Sequence, residues 1–227
     1  MSHIKFSIIL PLYKQVDHSN ELYHTYVESL SAISSSWELL FIVNGVDDGT
    51  TEKLNQLNKL DNVHIYFLKL GGWGRAVKYG LSKAKGEFLC YTNSARTEIN
   101  DLILILQYAE VNNYNVVKAT RIIREAFIRK LGSVLYNLQC RFMLKVPVWD
   151  INGTPKVIPQ QIYSQLSISS EDDLIDAEII AFCSKKNYRI IEIPIISTKR
   201  ISGSSTTNIK SAIKMYLGVF RIKRQIK

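Results

Sequence analysis

IKFSIILPLY (residues 4–13) is an almost unbroken apolar run that Pro11 bounds near its end. Strict apolar/polar alternation is missing, so it reads as a strand buried on both faces, as in a parallel sheet. WELLFIV (37–43), VHIYFL (63–68), EFLCYT (87–92) and NVVKAT (115–120) have the same character. Helical patterns separate them. Residues 17–33 form one. A second is a short helix that Thr50 or Thr51 would cap, carrying Leu54 and Leu57. The third follows the glycine-rich GGWG with Ala76, Val77, Tyr79, Gly80 and Leu81. The fourth, 98–111, places Leu102, Ile105, Leu106 and Ala109 on one face. Strand and helix in alternation predict an α/β fold with a mainly parallel central sheet flanked by helices. Such sheets bind ligands outside the carboxyl ends of their strands, here 11–15, 44–48, 70–74, 93–97 and 120–121.

The second half changes pattern. Residues 124–144 read as an amphipathic helix with Ile128, Leu131, Leu135, Leu138 and Phe142 at 3/4 spacing. DINGTPKVIP (150–159) reads as a loop from its turn residues. A helix is expected over 174–186, a strand over 188–196 (YRIIEIPII), a polar loop at KRISGSSTTN (199–208), and a helix from Ile209 onward. No repeat or long linker divides the chain. The expectation is therefore one domain over 1–227, with parts 1–120, 121–208 and 209–227.

Composition narrows the class. Hydrophobic residues make up 46% of the 227 and aromatics 10%, too many for a disordered chain. Cys90, Cys140 and Cys183 are far apart, with no C-x-x-C pair, which fits a reducing compartment and argues against zinc or redox chemistry. His3, His18, His24 and His64 show no metal-ligand spacing. No apolar run reaches the roughly 18 residues of a membrane span, and the first 15 residues lack a small-residue cleavage site, so a cytoplasmic location is expected. The net charge of +9 is concentrated. No acid follows Glu192, while Lys199, Arg200, Lys210, Lys214, Arg221, Lys223, Arg224 and Lys227 do; residues 118–145 carry seven basic side chains against Glu125. The remainder is net acidic. Two basic zones on an acidic body point to an anionic partner: a phosphorylated substrate, an anionic membrane or nucleic acid. No nucleic-acid motif is present, so nucleic acid is set aside.

Several segments, in order, resemble the family 2 glycosyltransferases, in particular the dolichol-phosphate mannose synthase-like branch that glycosylates polyprenyl phosphates. FSIILPLYKQ resembles the opening strand and its Pro-x-Tyr-Asn-Glu turn. FIVNGVDDGT resembles the second nucleotide-binding turn, one residue short. GGWGRAVKYGLSKAKGEFL resembles the glycine-containing segment before the metal motif, and DINGTPKV, DAEII, YRIIEIPI and KRISGSS resemble acceptor-side motifs. The sequence departs from the pattern at Lys14-Gln15 for Asn-Glu, at Leu70 for Asn, at Trp73 for Lys, and at Asn93-Ser94-Ala95 for the Asp-x-Asp that holds a divalent metal.

The resemblance implies a glycosyltransferase A-type fold with a Rossmann-like nucleotide-binding half. It implies transfer of a sugar from a nucleoside diphosphate sugar to a polyprenyl phosphate or other lipid-linked acceptor at the cytoplasmic membrane face. The alternative is a catalytically degenerate member that binds a nucleotide sugar or regulates a partner. Pro11, Tyr13, Asn44, Asp47, Asp48, Gly72, Asn93 and Ser94 are implied on the donor side. Arg121, Arg129, Ser133 and Lys156 are implied around the acceptor phosphate, and Arg200 and Asp150 in catalysis, with Gly203 and Ser204 beside Arg200. Asp176 and Glu178 are expected as structural partners of the basic groups. No cofactor is firmly implied; a neutral Asn and an Ala suit Mg²⁺ or Mn²⁺ at most weakly. An anionic membrane surface and a membrane protein are further expected partners. The basic tail has the composition of an interfacial helix, with Phe220, Ile222 and Ile226 facing lipid.

Overall fold

The computed structural model describes residues 3–123, 127–196 and 209–226, with side chains except at 123, 127–131 and 209–212. Seven strands form one sheet: β1 (Phe6–Leu12), β2 (Trp37–Asn44), β3 (Val63–Leu68), β4 (Phe88–Tyr91), β5 (Val116–Ile123), β6 (Lys156–Pro159) and β7 (Ile190–Ile196). Their order is β3-β2-β1-β4-β6-β5-β7. All neighbouring pairs are parallel except β6, which runs antiparallel to both β4 and β5. The α/β expectation holds, and the first five strands lie where the apolar runs put them.

Side-chain alternation explains the two covered faces. Ile8, Leu10 and Leu12 of β1 point to one face, packed with Tyr26 and Leu30 of α1 (Ser19–Ser31), Leu54 of α2 (Thr50–Leu57), and Leu102 and Ile105 of α4 (Ile99–Val111). Ile9 points to the other, with Ala76 and Val77 of α3 (Trp73–Lys83) and Ile175 and Ile179 of α7 (Ile175–Lys185). A short helix α6 (Gln160–Tyr163) follows β6. A third core joins α5 (Phe127–Leu144), α7 and α8 (Ile209–Gln225) through Tyr136, Cys140, Leu144, Ala177, Val219 and Ile222.

Two expectations are corrected. DINGTPKVIP is not all loop: its last four residues are β6, paired Tyr91↔Lys156 through Phe88↔Pro159. The tail helix forms, but Ile222 is fully buried in the third core and Ile226 is packed against it, while Ile213 is exposed. Among the described residues no helix is long and apolar enough to cross a membrane.

The start of α3 depends on a close approach. A Cβ on Gly74 would lie 2.1 Å from the carbonyl oxygen of Asp172 and 2.7 Å from its nitrogen. Gly74→Ala is expected to destabilise the protein by about 1–3 kcal/mol, because backbone rather than a flexible side chain must move. Chemical denaturation checks this; an unchanged midpoint would show that the 171–172 loop yields freely.

Candidate active site

The carboxyl ends of β1 to β5 gather along one edge of the sheet. Because β6 is antiparallel and starts opposite Tyr91, the 150–155 loop leading into it is delivered to that same edge. On the β1–β3 side, Gly45 adopts φ +91 directly under Tyr13: a Cβ there would lie 2.8 Å from the Tyr13 ring and 3.5 Å from Gly71 Cα. Glycine permits both the positive φ and the contact. The result is an exposed aromatic face above a narrow backbone floor, suited to stacking on a flat ring. Asn44 locks this floor: its Nδ2 donates to the Leu12 carbonyl (2.8 Å) and its Oδ1 accepts from Gly72 N–H (2.9 Å).

Asp48 accepts from the Thr50 hydroxyl (2.5 Å), Thr50 N–H (3.2 Å) and Val16 N–H (3.3 Å). Partial burial pushes its carboxyl upward, but these hydrogen bonds outweigh that and hold it below the ordinary value. Asp47 accepts from Gly49 N–H at 3.1 Å. Both carboxylates thus shape the turn from which they point. Pro11 is half-buried within β1.

From β4 to β7 the polar groups form two knots, the first half-buried around Glu192 and the second buried around Asp176. In the first, Glu192 accepts from Lys118 Nζ (3.2 Å), the Thr120 hydroxyl (2.5 Å), and the N–H groups of Trp149 (2.9 Å) and Asp150 (3.2 Å). Asp150, so held, takes a two-pronged fork from Arg121, Nε to Oδ2 at 2.7 Å and Nη2 to Oδ1 at 2.9 Å. In the second, Asp176 accepts from Tyr91 OH (2.8 Å), Trp73 Nε1 (3.0 Å) and Lys156 Nζ. Asn137 of α5 ties the loop between the knots by accepting from Ile151 N–H at 3.1 Å.

Burial and the Lys156 ammonium bring Lys118 down to about 8, against partial support from Asp150 and Glu192. Burial pushes Glu192 up, but Lys118, Thr120 and the two N–H groups prevail and hold it below its ordinary 4.5. A lowered acid contributes stability above its unfolded value and loses it as pH falls through the folded one. Glu192→Gln is therefore expected to flatten the fall of the melting temperature below about pH 4.5; an unchanged acid limb would assign that dependence to other carboxylates.

A family model described as glycosyl transferase family 2 matches residues 7–166, well over half of the chain. The chain belongs to glycosyl transferase family 2. An uncharacterised glycosyltransferase of Bacillus subtilis strain 168, YkcC, is 21% identical over 217 residues, covering 94% of this chain and 66% of the relative. The undecaprenyl-phosphate 4-deoxy-4-formamido-L-arabinose transferase of Salmonella choleraesuis is 24% identical over 138 residues, 59% of this chain and 42% of that one. The chain thus spans less than two thirds of the length of these relatives. Among solved structures, glucosyl-3-phosphoglycerate synthase from Mycobacterium tuberculosis, in complex with Mn²⁺, UDP and glucosyl-3-phosphoglycerate, superposes with a TM-score of 0.71 at 12% identity, over 98% of this chain and 80% of that one. The glycosyltransferase A-type fold is thereby shown.

In this family 2 glycosyltransferase the metal-motif position does not fit a hard divalent cation. Asn93 Oδ1 accepts from Ala95 N–H (3.1 Å), and the Asn93 carbonyl accepts from Arg96 and Thr97 N–H. Asn93 thus offers one neutral side-chain oxygen, already shared with the turn, and no carboxylate. Ser94 and Ala95 are buried, and Ala95 brings no ligand atom. Among the described residues no group of three or more His, Cys, Asp or Glu is placed to hold a metal ion.

The other expected residues fall as follows. Arg121 and Asp150, assigned separately from sequence, are partners of each other. Lys156 is fully buried and turned to Asp176 and the Ile151 carbonyl, so its ammonium faces the interior and not an open phosphate site. Asp176 is a structural partner of a basic group, as expected; Glu178 instead accepts from Ser169 and Ser170. Ser133 is half-buried on α5. Arg200, Gly203 and Ser204 lie outside the described residues, as does the side chain of Arg129. Sequence reasoning missed Glu192 as an organiser and the convergence of Trp73 and Tyr91 on Asp176; a Glu within the apolar strand IIEIPII was the available signal for the first.

Proposed function

We propose that this glycosyltransferase moves a sugar from a nucleoside diphosphate sugar to a polyprenyl phosphate or similar lipid-linked phosphate, at the cytoplasmic face of a membrane, without a firmly bound divalent metal. The observation that carries the reading is the single edge that joins the Tyr13–Gly45–Asn44 floor to the Arg121–Asp150 pair. A flat base and an anionic acceptor call for those two chemistries side by side. The lipid-linked acceptor is supported by the acceptor-side motifs and by the undecaprenyl-phosphate acceptor named for the Salmonella relative.

In this reading Arg200 answers the developing charge of the leaving diphosphate, the task a metal performs elsewhere. Arg121, Arg129 and Ser133 surround the acceptor phosphate, and Asp150 orients sugar or acceptor through its fork. An acceptor phosphate is already ionised near neutral pH, so transfer needs no strong general base. A second reading, a nucleotide-sugar-binding protein without turnover, is favoured by the Asn93-Ser94-Ala95 turn alone.

A panel of radiolabelled nucleotide sugars, incubated with the protein and polyprenyl phosphate and followed by lipid extraction, separates the two. Label in the organic phase is expected for one donor. Label that stays in water with every donor, while calorimetry still detects donor binding, would establish the second reading. Donor binding is also expected to persist in the presence of a chelator; its complete loss would mean that a metal is held by carboxylates outside the Asn93 turn.

A further inference from the structure

Six large apolar side chains stand exposed on two touching helices. On α5 they are Leu135 (51%), Leu138 (50%) and Phe142 (87%); on α8 they are Ile213 (54%), Leu217 (64%) and Phe220 (51%). Spacings of three and four make each set one stripe along its helix. The helices meet where Tyr216 OH donates to the Gly132 carbonyl (2.6 Å), Gln139 Nε2 donates to the Tyr216 carbonyl (3.0 Å), and the Tyr136 and Tyr216 rings contact edge-on. Both bury their other flank in the same core, through Tyr136 and Cys140 and through Val219 and Ile222. The α5 stripe is one residue before the seam positions 136 and 139, and the α8 stripe one residue after 216. The two stripes therefore turn to the same outer side and form one apolar strip.

Charge states what covers it. Neither helix contains an Asp or Glu, whereas Arg141, Lys145, Lys214, Lys223 and Arg224 edge the strip. A second copy placed there would set basic groups against basic groups. Trp149, 65% exposed, has the Arg141 guanidinium 3.9 Å over its ring and directly precedes Asp150 of the candidate site. An exposed Trp beside a cation suits the headgroup layer of a bilayer.

We propose that the outer face of α5 and α8, with Trp149 at its edge, docks on an anionic lipid surface and brings the Arg121–Asp150 end of the cleft to the bilayer. Docking itself stands on the strip and its charges; only the orientation of the cleft rests on the lipid-acceptor reading. The tail alone is not the anchor, since half of the strip belongs to α5. Cutting the chain after Met215 would also remove Val219 and Ile222 from the core, so point substitutions make the sharper test.

The experiment is co-sedimentation of the full chain with vesicles of phosphatidylcholine plus phosphatidylglycerol, and with phosphatidylcholine alone. The wild type is expected to bind the anionic vesicles and to be released by salt. Leu138→Glu with Leu217→Glu is expected to bind about tenfold less or weaker. Val111→Glu, at an 83% exposed position on α4, is expected to bind as the wild type does. Circular dichroism and nucleotide-sugar calorimetry on each variant show that fold and donor site are intact. Three results would overturn the proposal: no wild-type binding, equal binding by the double variant, or a solution dimer that the double variant splits while vesicles remain unbound. Vesicle binding with the expected variant pattern supports it even if no sugar transfer is ever detected, and that last result counts against the transferase reading alone.

Discussion

Asp176→Ala is expected to lower the unfolding free energy by about 3–5 kcal/mol, the cost of removing one member of a buried ion pair. The Lys156 side chain is fully buried, and the mutant would leave its ammonium facing the Ile151 carbonyl at 3.2 Å. Tyr91 OH and Trp73 Nε1 would lose their acceptor in the same step. A second substitution distinguishes a charge effect from a shape effect. Asp176→Leu combined with Lys156→Met removes both charges and restores apolar volume, so it should recover most of the loss. Urea denaturation reads this as a shifted midpoint with an unchanged slope. A single mutant within about 1 kcal/mol of the parent would show that water reaches Lys156 and that the knot is not dry.

Arg121→Ala should cost less, about 1–3 kcal/mol, because Asp150, 2% exposed, loses its charge-assisted fork but keeps the Arg121 N–H at 3.2 Å. Arg121→Lys is the informative companion. It keeps the charge but presents a single ammonium where two parallel N–H groups met two carboxylate oxygens. Stability should return in large part, while transfer should remain reduced by roughly 10- to 150-fold, as expected for one lost charge-assisted hydrogen bond. If Arg121→Lys transfers sugar at the parental rate, the fork only holds the loop, and the orientation of Asp150 plays no part in the reaction.

The inner parallel strands β1, β2 and β4 were legible because each is buried on both faces and so must be an apolar run, the half-buried edge strands β3 and β7 by their β-branched and aromatic residues, and the neighbouring helices had to carry an apolar stripe. KVIP escaped because it is four residues long, begins with Lys and ends with Pro, and sits among Asn, Gly, Thr and Pro that signal turns. Its strand character comes from being enclosed by β4 and β5, a circumstance of the assembled sheet. The same limit governed the site. Tyr13, Asn44 and Gly72 sit at strand ends that the periodicity locates. Trp73, Tyr91, Lys156 and Asp176 meet only after the sheet has formed, and no spacing along the chain encodes that meeting. The composition of the tail put Phe220, Ile222 and Ile226 toward lipid, but it could not tell which flank of α8 the third core would take; the core took Ile222 together with Val219.

The antiparallel β6 also governs how the molecule can be divided. A fragment ending near residue 120 contains the five strands of the first half, yet it would leave β4, from Phe88 to Tyr91, unpaired along one side. It would leave β5 without either of its neighbours. An open, apolar strand edge is a template for self-association, so such a fragment should aggregate rather than serve as a miniature nucleotide-binding module. Supplied in trans, residues 121–227 would have to thread four residues between two strands before either piece could close. The β6 strand ties the two parts of the sheet together and makes it a poor candidate for splitting into complementing halves.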